Sequence, residues 1–203
     1  MIKIAAIDAG LAYQSRTFDD PALTEHFGAR VPLRRIGDTS LSEFPCLMIP
    51  CRTNGERLAP HRARLADFMN DGGTLVVMGE THPHLFLDGV IFTPEPTNFW
   101  WWLETGADLG VRIKDPIHPL MLGMGQKDVT WHVHGTLAFN EESETVVDWK
   151  PRDREGGAIL AVQTRGKGRL VITTLDPIYH HGSGFMPATT AFLKGFLPAL
   201  RSF

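Results

Sequence analysis

Histidines, carboxylates and a cysteine fall in four short clusters: Pro50-Cys51-Arg52, Gly79-Glu80-Thr81-His82-Pro83-His84, Trp131-His132-Val133-His134 and Asp176-Pro177-Ile178-Tyr179-His180-His181. Imidazoles and carboxylates hold divalent metals or move protons, and a thiolate attacks electrophiles. His132 and His134, two apart on an extended segment, project to one face. With His180 they make a nitrogen donor set suited to zinc or another divalent metal, and His181, His82, Glu80 or Asp176 could complete it. A metal there would polarise a carbonyl or activate water. A second, metal-free reading takes Cys51 as nucleophile, one of His132, His134, His180 and His181 as base, and Glu80 or Asp176 as its orienter.

A third reading needs no catalysis. Asn98 with Trp100, Trp101 and Trp102 offers an amide and aromatic faces to a sugar or another flat polar ligand. Three consecutive tryptophans cannot all face one way in regular structure, so at least one is expected in the core and another at a homodimer contact. Arg52 could clamp a carboxylate or phosphate, and Tyr179 precedes the glycines Gly182 and Gly184, whose backbone could face an anion. Each residue also has a plainer use: Cys51 as packing, Glu80 as a carboxylate fixing its turn, Asp176 as a cap before Pro177, Arg52 in an ion pair.

Three of the four clusters follow an apolar run (FPCLMI, TLVVM and LVITTL), so the elements that must position them are strands. The periodicity predicts strands at Ile2 to Ile7, Val31 to Ile36, Phe44 to Ile49 and Thr74 to Met78. Between them it places a helix opening at Asp20-Pro21, with Leu23 and Phe27 on one face and Gly28 as its stop. A second helix should run from near Pro60, bury Leu65, Phe68 and Met69, and end at Asp71-Gly72-Gly73. Such alternation argues for an α/β doubly wound, mostly parallel sheet, whose strand carboxyl ends line the ligand crevice. From about 89 to 128 prolines loosen the pattern around the Trp-rich run. Ala158 to Thr164 and Arg169 to Leu175 then flank Arg165-Gly166-Lys167-Gly168 as a β-hairpin whose glycines supply positive φ, and a helix over Pro187 to Leu200 closes the chain.

At 203 residues, 43% hydrophobic and 21% charged, the chain suits one globular domain. A formal charge of −3 gives no field for nucleic acid. No apolar run reaches the roughly 18–20 residues that span a bilayer, and MIKIAAIDAG passes straight into a strand pattern, so a cytoplasmic protein with a small-molecule ligand and no membrane partner is expected. Cys46 and Cys51 are expected as free thiols. Cys46 reads as inert core, and Cys51 lies beside Arg52, whose charge would lower its pKa.

The segments FPCLMIP, LADFMNDGGTLVVMGE, IHPLMLGM and GKGRLVITTLD, in that order from about Phe44 to Phe203, resemble the class I glutamine amidotransferase-like superfamily, and within it the ThuA-like (trehalose-utilisation-like) branch. The resemblance implies a single flavodoxin-like domain. The departures bear on activity. Amidotransferases of this type carry a nucleophilic cysteine in a G-x-C-x-G turn, and here that turn reads Gly79-Glu80-Thr81-His82, with Glu80 at the thiol's place. The stretch after the third strand is Pro50 to Gly55 rather than a glycine-rich oxyanion loop, and no HPE signature follows. The resemblance therefore disfavours glutamine hydrolysis and leaves a small polar metabolite, a carbohydrate among the candidates, to be bound and either hydrolysed, isomerised or simply held.

Overall fold

The computed structural model describes residues 3–97, 99–201 and 203; Ile2 of the first expected strand and the candidate ligand residue Asn98 lie outside them. The protein is α/β. Among the described residues the strands are β1 (Ile4–Asp8), β2 (Phe27–Pro32), β3 (Cys46–Ile49), β4 (Thr74–Met78), β5 (Val90–Pro94), β6 (Val111–Ile113), β7 (Gly135–Phe139), β8 (Glu144–Trp149), β9 (Gly157–Arg165) and β10 (Gly168–Thr173). The helices are α1 (Ala12–Asp19), α2 (Gly55–Leu58), α3 (Arg62–Asn70), α4 (Gln126–Val129), α5 (Pro177–Ser183) and α6 (Pro187–Leu200).

All the strands join one sheet of two characters. β2, β1, β3, β4 and β10 are parallel neighbours in that order. Beyond β10 every pairing is antiparallel: β9 on β10, β8 and β7 on β9, β5 on β7 and β6 on β8. The expected parallel sheet is thus one part of it, and the antiparallel part is larger than one hairpin because the loosely patterned 89–128 stretch contributes β5 and β6 and the segment after it β7 and β8. Strand residues alternate between two cores. Leu47, Ile49, Leu75, Val77, Leu170 and Ile172 meet α3 on one face, whereas Met48, Val76, Met78 and Val171 face α5 and α6 on the other. Phe192, Leu193, Phe196 and Leu197 of α6 are fully buried there, each worth about 1.5–3 kcal/mol of apolar transfer.

Several expectations need correction. The helix expected from Asp20-Pro21 lies earlier, at α1, and Phe27 and Gly28 belong to β2. α1 carries no apolar stripe because the face it buries is polar: Gln14 and Thr17 are buried beside Phe18. Thr17 Oγ1 donates to Ile178 O at 3.1 Å, and Gln14 Nε2 donates to Thr53 Oγ1 at 3.4 Å. The second strand is consequently displaced to β2, and Leu33–Arg35 form a 3-10 turn. In the β9–β10 hairpin only Gly166 has positive φ, at +57°. Gly168 is required by close approach, since a Cβ there would stand 2.2 Å from Gly73 O. Among the described residues no helix is long and apolar enough to cross a membrane.

Candidate metal centre

β10 runs through Leu175 into Asp176, the N-cap position of α5, and Pro177 at the first helical position fixes the chain's entry into that helix. One turn later His180 returns beneath Asp176, with Nε2 3.1 Å from Oδ1. His132 and His134 come from the extended segment between α4 and β7, and their equal facing is as the i, i+2 spacing requires: the two Nε2 atoms are 3.0 Å apart. His132 Nε2 also lies 3.0 Å from His180 Nε2 and 3.5 Å from Asp176 Oδ1, while His134 Nε2 lies 3.2 Å from Asp176 Oδ2. All four residues are buried, and one potential ligand atom from each lies within 4.8 Å of every other. Gly79, with φ +64°, permits this convergence. A Cβ at Gly79 would meet Cys51 Cβ at 2.4 Å and Asp176 Cβ at 2.9 Å, so the ends of β3, β4 and β10 come together only around glycine.

The protons do not balance within the group alone. His132 Nε2 carries at most one proton, so it cannot donate to both neighbouring rings. Among the described residues neither buried Asp176 oxygen receives a well-aligned hydrogen bond, and buried His180 Nδ1 has no partner. Burial pushes the Asp176 carboxyl upward, yet the adjoining His132, His134 and His180 outweigh it and hold the group well below the usual carboxylate range. Burial draws His132 downward, toward the neutral ring, against the pull of Asp176. An ionised carboxylate and a neutral imidazole are the states a metal ion requires of its ligands. Four donors about 2.0–2.1 Å from zinc in a tetrahedron stand about 3.3 Å from one another; the contacts among these side chains run from 3.0 to 3.5 Å, and the four ligand atoms together lie within 4.8 Å.

Around the group, His134 Nδ1 lies 3.2 Å from Thr97 Oγ1 and 3.5 Å from Glu80 Oε1, positions that orient its ring. Arg52 Nη2 stands 3.5 Å from Glu80 and 3.6 Å from Asp176, and its guanidinium lies over the Tyr179 ring at 3.7 Å. A cavity of about 600 Å³ opens beside His132 and His180, walled by Arg52, Tyr179, Phe185 and the aromatic run Phe99 to Trp102. None of the three tryptophans is in the core: Trp101 is half-buried, and Trp100 and Trp102 are 66% and 58% exposed. Phe99 instead packs edge-on against His132 at 4.9 Å. Thr97 and Phe99 carry no signal of their own in the sequence beyond their place beside the tryptophans.

The chain shares its fold with solved structures, a ThuA-like protein among them. Structures similar to it include a cytoplasmic protein from Salmonella typhimurium (TM-score 0.60, 11% identity, 97% of this chain and 98% of that one) and a ThuA-like protein from Bacteroides uniformis (0.50, 12%, 97% and 89%). A beta-galactosidase from Bacillus circulans sp. alkalophilus is also similar (0.57, 12%), matching 99% of this chain, which spans only 31% of the galactosidase. No family profile and no curated protein matches the sequence.

In this fold the remaining candidates lie apart from the four-residue group. His181 turns the other way on α5, to Asp20 Oδ2 at 3.0 Å and Thr190 Oγ1 at 2.8 Å, because adjacent helical residues face about 100° apart. His82 is exposed at positive φ and packs edge-on against His84 and Phe92. Cys51 sits near Arg52 but is fully buried, its sulfur accepting the Tyr179 N–H at 3.1 Å. Burial, with the Asp176 charge, pushes this thiol well above its ordinary pKa, outweighing the expected lowering, which Arg52 does supply. Burial likewise pushes Cys46 up to about 12. Both thiols are free, and neither forms a thiolate near neutrality. Folded protein at pH 8 should therefore react with a thiol-specific disulfide reagent at well under one equivalent, rising to two on unfolding; a rapid stoichiometric reaction when folded would contradict this.

Proposed function

We propose that the protein is a metal-dependent enzyme, on a flavodoxin-like framework, acting on a small polar metabolite at the His132, His134, Asp176 and His180 group. The convergence of three imidazole nitrogens on one buried carboxylate that lacks aligned donors among the described residues carries this reading. Zinc suits the donor set. When bound, such an ion supplies Lewis-acid polarisation of a carbonyl and a more acidic water. The chain's own groups do the rest. Glu80 and Thr97 hold the His134 ring, and Arg52 offers guanidinium donors at the cavity wall. Phe99 shields His132 from solvent, and the exposed tryptophans give a ligand flat apolar faces, which suits a carbohydrate. Hydrolysis or isomerisation is the chemistry in keeping with this set. Glutaminase activity is excluded from the reading because neither thiol lies in the turn after β4.

The test is a screen of zinc-loaded protein against sugar esters, lactones and aldose–ketose pairs, repeated with a chelator and with Cys51→Ala. Activity abolished by the chelator and kept by Cys51→Ala supports the reading. Activity that survives the chelator but not Cys51→Ala would move the chemistry to the thiol. Ligand binding without turnover, indifferent to both, would make this a binding domain.

A further inference from the structure

A second cavity lies next to the first, at a position the metal reading does not use. It encloses about 550 Å³, and its lining includes Asp8 and Gly10 after β1, Arg34 after β2, and Arg52, Asn54 and Arg57 after β3. The strand order β2-β1-β3 makes this the switch point of the parallel sheet, where the chain leaves β1 on opposite sides and the loops separate. Arg34 and Arg57, exposed side chains from two separate segments, line one concavity with a single carboxylate, Asp8, whose Oδ1 already accepts the Gly10 N–H at 2.7 Å, while the Arg52 guanidinium beside them is directed at Glu80 and Asp176. α1 begins at the same wall with Leu11 as N-cap, which supplies no side-chain acceptor, so its first turn adds donors and not charge. Gly10, at φ +78°, has open space where a Cβ would be. Arg52 is held at φ +60°, a conformation costly for a side-chain-bearing residue, and lines both cavities.

We infer that this arginine pocket binds the phosphoryl group of a small metabolite, Arg34 and Arg57 gripping its oxygens and Arg52 marking the path toward the histidines. Guanidinium forks match phosphate oxygens bidentately, and two of them suit a phosphoryl dianion better than a single carboxylate. The pocket stands on its own geometry; only the extension, that the phosphorylated compound is the substrate of the metal centre, rests on the function proposed above.

Calorimetric titration of chelator-treated full-length protein with inorganic phosphate and pyrophosphate, with acetate as the carboxylate control, tests this. Saturable binding of one pyrophosphate per chain, weakened at least roughly tenfold in Arg34→Ala/Arg57→Ala, is the result expected; both residues are exposed, and an unchanged melting curve certifies the variant's fold. No saturable binding of either phosphate, equal binding by the variant, or acetate binding as tight as phosphate overturns the pocket. Binding retained by His132→Ala/His134→Ala supports the arginine assignment even if the metal reading fails, and binding lost there but kept by the arginine variant overturns it.

Discussion

Replacing His132 and His134 together by alanine is expected to take bound divalent metal from near one ion per chain to background, measured by mass-spectrometric elemental analysis of untagged protein. The magnitude follows from the donor set. A four-ligand zinc site has an apparent binding free energy of about 10–16 kcal/mol; losing two of four donors removes roughly half, so affinity falls by more than about a thousandfold. Asp176 and His180 would be the two donors of the group that remain, and two ligands do not retain zinc through purification. If wild-type protein, incubated with zinc, cobalt and manganese and then desalted, carries none of them, the group is a hydrogen-bonded cluster and the metal reading ends.

The second large effect is on stability. A ligand that binds only the folded chain raises its stability by RT ln(1 + [L]/Kd), about 4 kcal/mol at a thousandfold excess over Kd. For a chain of 203 residues, each kcal/mol moves Tm by about 2–4 °C. Zinc should thus raise Tm by about 8–16 °C over chelator-treated protein, and the double histidine variant should show no rise. Cys46 and Cys51, being buried on β3 and beside it, add no competing site in the folded state. A shift of equal size in the double variant would place the ion elsewhere.

How far the sequence announces this arrangement depends on what each segment buries. β4 and α6 have the bounds expected from their patterns, because one is an apolar run ending at glycine and the other opens on Pro187 and keeps its apolar stripe to Leu200. α1 was hidden, since Gln14 and Thr17 pack through hydrogen bonds that hydrophobic periodicity cannot register. At the site, the i, i+2 pair was legible from strand geometry alone. The choice between His180 and His181 was not, because it turns on the phase of α5, which is set by Pro177 and by Gly182 packing against Tyr13 O of α1. Nor could sequence show that Asp176 faces inward instead of capping its helix, a matter of tertiary contacts with His132 and His134.

One consequence concerns the order of assembly. β10 lies between β4 and β9 at the centre of the sheet, and its partner Thr74–Met78 is made long before it in the chain. Such distant pairing forms late, after the local β3–α3–β4 unit. Asp176 and His180 follow directly on β10, so until that strand is inserted neither stands near His132 or His134. A nascent or half-folded chain therefore lacks the assembled group, and binding of the proposed ion would have to follow insertion of β10.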